Sequence, residues 1–99
     1  MASTPEAKVK EKIKKILKER GAYYAMPMGT GYGNSGVPDF LVCLNGEVLA
    51  IEAKAGRGVP TALQEKNMRD IEKAGGRTLV INEQSLELKV LEAILENMK

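Results

Sequence analysis

The residues best placed for chemistry in this chain are Asp39, Glu52 and Lys54. They lie in the stretch Gly-Val-Pro-Asp-Phe-Leu-Val-Cys-Leu-Asn-Gly-Glu-Val-Leu-Ala-Ile-Glu-Ala-Lys, positions 36–54, two apolar runs around Asn45-Gly46. Asn-Gly between such runs predicts a β-hairpin with a two-residue loop. Leu44 then faces Glu47, and counting down the ladder brings Asp39 opposite Glu52. Directly opposed residues share a face, with Cβ atoms roughly 4.5–5.5 Å apart, and Lys54, two positions on, points the same way. Opposed carboxylates repel, and a half-buried one without a partner is costly. A divalent cation would offset both, and carboxylate oxygens suit Mg²⁺, Mn²⁺ or Ca²⁺. With an ammonium alongside, the set is equipped for metal-assisted phosphodiester hydrolysis. The competing reading is a pair of solvated acids at the open end of a hairpin, with Lys54 as their ion-pair partner. The apolar neighbours Ala50-Ile51 and Phe40-Leu41-Val42 weigh against it.

Composition narrows the chemistry further. The chain has no histidine and one cysteine, so a zinc site or a histidine base is excluded. Cys43, inside an apolar strand, reads as a buried packing residue, and a lone cysteine fits a reducing, cytoplasmic setting. Ninety-nine residues make a single domain spanning 1–99, large enough for one core. No apolar run approaches a membrane span, and no signal-peptide pattern opens the chain. The net charge of +2 is unevenly spread. Residues 1–20 hold seven Lys/Arg against three Glu, and residues 54–77 hold six against three acids. These basic segments flank the acidic hairpin, as expected where a polyanion crosses a cation-binding centre, although a solvated lysine-rich helix accounts for the first equally well.

The elements that must position the site follow in order. Thr4-Pro5-Glu6 reads as a helix start, with a hydroxyl cap, proline at the first position and an acid in the first turn. The helix runs to about Arg20, with Val9, Ile13, Ile16 and Leu17 as its apolar stripe. At about 100° per residue, Glu6 points into that stripe and Glu11 away from it. Glu6 is therefore aimed at the sheet, or simply serves the helix dipole. Tyr23–Met28 reads as a short strand interrupted by Pro27, on an edge or ending in a bulge. A glycine-rich loop carrying Tyr32 follows, either a mobile connection or an arm that reaches a nucleic-acid backbone or base. Beyond Lys54, Thr61 caps a helix and Gln64 completes a capping box. Met68 and Ile71, then Leu63 and Ala74, supply its buried face, while Lys66, Arg69 and Lys73 form its polar side. A strand over Thr78–Ile81 and a last helix with Leu88, Leu91, Ile94 and Leu95 complete the chain.

The order is helix, three strands, helix, strand, helix. The first three strands should be antiparallel, and the third and fourth should form a right-handed parallel crossover around the second long helix. Both faces of strands two and three are apolar, so helices are expected on both sides of the sheet.

That succession, with Gly36-Val37-Pro38-Asp39-Phe40-Leu41, Ala50-Ile51-Glu52-Ala53-Lys54, Pro60-Thr61-Ala62-Leu63-Gln64 and Glu6 on the first helix, resembles the PD-(D/E)xK nuclease superfamily. More narrowly it is similar to the VRR-NUC domain, a module found alone in phages and as the catalytic end of the Fanconi-anaemia-associated nuclease. The resemblance spans roughly residues 5–82. It implies an α/β, restriction-endonuclease-like αβββαβ core, a mixed four-stranded sheet flanked by helices, with an extra C-terminal helix. It implies Mg²⁺ or Mn²⁺ held by Asp39, Glu52 and the backbone carbonyl of Ala53, with Glu6 approaching directly or through water. Lys54 would orient the attacking water and stabilise the transition state; Gln64 would stand at the rim, unless capping is its whole purpose. Contacts to DNA would come from Tyr32, Arg57, Lys66 and Arg69. The family's Val-Arg-Arg is absent, since Ala55-Gly56-Arg57 follows Lys54, so any arginine contact to phosphate rests on Arg57 or is absent. The implied activity is a metal-dependent, structure-selective DNA endonuclease acting on Holliday junctions or other branched DNA as a homodimer, phage- or bacterium-encoded and working in the host cytoplasm. The alternatives are a non-catalytic nucleic-acid-binding accessory domain, or a nuclease for flaps, linear ends or RNA.

Overall fold

Thr4 caps the first helix, α1 (Pro5–Glu19), by accepting the amide of Ala7 at 3.1 Å, and Pro5 occupies the first turn, where its missing N–H costs nothing. This is seen in a computed structural model that describes residues 4–27, 36–56, 58–82 and 85–98. The other elements are β1 (Tyr23–Ala25), β2 (Phe40–Leu44), β3 (Glu47–Ala53), α2 (Ala62–Lys73), β4 (Arg77–Ile81) and α3 (Ser85–Asn97). They form the expected α/β core, a mixed four-stranded sheet in the order β1-β2-β3-β4, with α3 as the additional C-terminal helix.

The hairpin of β2 and β3 turns at Asn45-Gly46, both at positive φ (53° and 81°), as a type I′ turn requires. Leu44 faces Glu47, and the ladder runs to Phe40 opposite Ile51. Asp39 therefore stands one position beyond the last pair rather than inside the ladder. Pro38 precedes it and has no N–H to donate, so pairing ends there. β1 joins β2 antiparallel, and β4 joins β3 parallel, with Ala53 beside Ile81.

One face of the sheet is sealed by α1 and α3. Val9, Ile13 and Leu17 from α1, with Leu91, Leu95 and Met98 at the C-terminal end, close over Phe40, Val42, Leu49, Ile51, Ala53 and Ile81. Tyr24 tilts against Phe40 with ring centroids 5.8 Å apart. Arg20 ties the two helices, reaching Glu96 at 2.6 Å and Glu92 at 3.3 Å.

The opposite face departs from expectation. α2 packs on β4, with Met68 and Ile71 half-buried, but Leu63 and Ala74 are exposed and no residue of α2 is fully buried. Tyr23, Leu41 and Val48 on the β1–β2 side stay open to solvent. Cys43 lies among them and is exposed rather than buried. A single helix of twelve residues reaches across part of a four-stranded sheet, since neighbouring strands lie roughly 4.8 Å apart.

Candidate metal centre

The site is assembled where β2 and β3 part. Beyond the last paired residues, the side chain of Asp39 takes over from the backbone: its Oδ2 accepts the N–H of Ala53 at 2.7 Å. On the far side of β3, the N–H of Lys54 is taken by the carbonyl of Ile81 at 2.8 Å. The strand is thus held from both sides at the residues that carry the functional groups. The segment leading into Asp39 is seated on the first turn of α2. Gly36, at φ 82°, comes so close that a Cβ there would lie 2.9 Å from Leu63. Only glycine suits both that backbone conformation and that approach.

Glu52 is buried, with 2% of its surface exposed. Its carboxyl is pushed up to about 8 by burial first, then by hydrogen bonding to Asp39 and by the charges of Asp39 and Glu6, while Lys54 pulls it down. Two carboxyl groups sharing a buried site cannot both ionise cheaply.

Lys10 supplies a second positive charge. Its Nζ lies 3.3 Å from Glu6 Oε2 and 3.6 Å from Asp39 Oδ1, bridging the first turn of α1 to the end of β2. Burial lowers the basicity of Lys10, but Asp39 and Glu6 outweigh it and hold the ammonium above its ordinary value. Glu6 on α1, Asp39 just before β2 and Glu52 on β3 thus lie at the same fork, linked through Lys10 and the Asp39–Glu52 contact, with the charge of Lys54 close enough to act on Glu52.

No family model matches this sequence. No curated protein matches it either. Among solved structures, one described as a "VRR_NUC domain" superposes with a TM-score of 0.78 at 25% identity, covering 91% of this chain and 97% of that one. The chain therefore shares the fold of a VRR-NUC domain. The likeness covers 91% of this chain, so it is the nuclease-type fold, and not only a hairpin with two acids, that the two share.

Within this fold, the structure gathers Glu6, Asp39, Glu52, Ala53 and Lys54 at one edge. Gln64 lies where α2 meets the segment leading into Asp39, its backbone N 3.0 Å from where a Cβ on Gly36 would stand. Its side-chain oxygen is committed to the capping box, accepting the N–H of Thr61 at 2.8 Å, while Thr61 Oγ1 accepts the Gln64 N–H at 3.2 Å. Lys66 pairs with Asp70 at 3.0 Å on the exposed side of α2, and Arg69 is exposed on the same helix. Tyr32 and Arg57 lie outside the described residues. Lys10 is the residue that sequence reasoning missed. The lysines of α1 read together as a solvated face, yet Lys10 is four positions after Glu6 and so on the same side of the helix.

Among the described residues, no three acidic side chains close around a point that could hold a metal ion. The Lys10 ammonium stands between two of these acids, Glu6 and Asp39. The donor set is nevertheless all oxygen and already attracts one cation, the ammonium of Lys10. It fits a hard divalent cation such as Mg²⁺ or Mn²⁺.

Proposed function

We propose that this VRR-NUC domain is a divalent-metal-dependent endonuclease that hydrolyses phosphodiester bonds in DNA, with branched and four-way-junction DNA as favoured substrates. The observation that carries the reading is the meeting of Asp39 with the buried Glu52 at the strand fork, beside Lys54.

Asp39, Glu52 and the carbonyl of Ala53 would hold Mg²⁺ or Mn²⁺, with Glu6 as a further carboxylate from α1. Backbone N–H and C=O groups of one strand residue point to the same side, so the Ala53 carbonyl shares the gap into which its N–H meets Asp39. A bound divalent cation would supply Lewis-acid stabilisation and an acidified water. Lys54 would orient the attacking water and balance charge gathering on the phosphate. Burial of Glu52 keeps water from competing for its oxygens. Gln64, its oxygen used by the cap, would offer only its NH₂ group at the rim. Lys66 and Arg69 on α2 would contact phosphates, together with Tyr32 and Arg57.

Cutting a four-way junction takes two nicks, which a two-fold homodimer delivers to symmetric strands. The uncovered apolar half of the sheet, Tyr23, Leu41, Cys43 and Val48, supports self-association.

The test is incubation with four-way-junction, flap, linear, single-stranded and RNA substrates in Mg²⁺ or Mn²⁺, with chelator and Glu52→Ala controls. Metal-dependent cleavage that is lost in the variant is expected, with the junction cut fastest. Metal-insensitive binding without cleavage would overturn catalysis and leave a nucleic-acid-binding accessory domain. Faster cutting of flaps, ends or RNA would move the substrate.

A further inference from the structure

Glu6 on α1 and Asp39 beside β2 are spanned by a single ammonium that comes from within the chain. We propose that Lys10 is a tethered stand-in for the divalent cation, bridging Glu6 and Asp39 until the metal displaces it from Asp39, and that it thereby sets how tightly the centre binds metal. This rests on the metal-dependent reading above.

Three features of the geometry support it. The Lys10 ammonium contacts Glu6 at 3.3 Å and Asp39 at 3.6 Å, from two different elements. Its partner Glu6 is on the same helix, an i,i+4 neighbour, so that contact survives any movement that frees Asp39. Asp39, by contrast, has one oxygen fixed by the Ala53 N–H and only Oδ1 facing Lys10. The Asp39 contact is therefore the one that breaks when a divalent cation claims that oxygen. A competitor held on the protein lowers apparent metal affinity by the fraction of molecules in which it occupies the position.

A merely structural lysine and a stand-in cation make opposite predictions. If Lys10 only supports the fold, removing its charge weakens the fold and the centre together. If it competes with metal, removing it weakens the metal-free protein while tightening metal binding. The measurement is calorimetric titration of Mn²⁺ into the full chain, paired with melting curves in chelator and in saturating Mn²⁺, for wild type, Lys10→Met and Lys10→Gln. Partly exposed ion pairs of this kind are modest, so Mn²⁺ should bind the variants about 3- to 10-fold more tightly. Melting in chelator should fall, and the increment gained from Mn²⁺ should be larger than in wild type. Two independent neutral side chains keep the test valid if one of them folds poorly.

Equal or weaker Mn²⁺ binding in both folded variants overturns the proposal. Wild type that binds no Mn²⁺ while the variants do would support Lys10 as the occupant of the position, and would count against metal-dependent activity in the native chain. Absence of binding in all three proteins would end the metal reading and this inference with it.

Discussion

On one side of the sheet, Ile13, Leu17, Phe40, Leu49, Ile51, Ile81 and Leu91 are entirely removed from solvent, whereas on the other Tyr23 keeps 73% of its surface and Val48 43%. Both sides are built from the same two apolar strands, so the difference lies in what covers them. Two helices close the first; α2 reaches only part of the second. The site occupies the seam between these regimes. Glu52 shares by register the open side with Leu41 and Val48, yet is buried. Asp39 and Glu6 connect it to α1, which belongs to the sealed side. The sealed half thus anchors the carboxylates, while the other half of the sheet is thinly covered.

This contrast can be broken most sharply at the seam itself. Asp39→Ala and Glu52→Ala should each lower metal-dependent cleavage by about 10³-fold or more, since a metal's transition-state stabilisation is worth several kcal/mol; single-turnover rates on a junction substrate would read this. In the sealed half, Ile13→Ala should destabilise the fold by about 2–5 kcal/mol in urea unfolding.

Glu52→Gln addresses the electrostatics. The folded carboxyl, at about 8, lies above its ordinary 4.5. Its contribution to folding is therefore complete below pH 4.5 and is lost as pH rises through 8. Metal-free wild type should melt progressively lower than Glu52→Gln across that window, by on the order of 5–10 °C at its upper end. Melting differences that stay constant between pH 5 and 8 would contradict the burial argument. A smaller effect is expected for Thr61→Ala, which removes the α2 cap and should cost about 1 kcal/mol.

In the open half, Leu41→Ser should change stability by less than about 0.5 kcal/mol, as an exposed position does. Cys43 offers a matching probe: a thiol reagent should modify it in the folded monomer. Protection that grows with protein concentration would place a second copy over this face.

How much of this was legible in the sequence depended on how local the cause was. Asn45-Gly46 sets the hairpin register by backbone chemistry within two residues, so the approach of Asp39 to Glu52 could be counted out. Thr4, Pro5, Thr61 and Gln64 mark helix starts for equally local reasons. Coverage of the sheet was not legible, because alternating faces that are both apolar say nothing about how far α2 reaches, and Cys43 was misplaced for that reason. Lys10 was hidden among the seven basic residues of the first twenty. Its distinction comes from facing Asp39, a residue 29 positions away, which periodicity along α1 cannot reveal. The spacing Glu6–Lys10 was the available signal.

The carboxylate of Asp39 divides its labour between two masters. One oxygen does the work of a missing peptide carbonyl for Ala53, and the other looks toward Lys10. An asparagine that kept its oxygen on the Ala53 N–H would turn its NH₂ toward the ammonium, donor against donor. Side-chain shape alone could therefore carry the strand end through such a replacement, but not the charge it presents. Architecture and affinity for cations meet in a single side chain at this point, and an asparagine would keep the first while giving up the second.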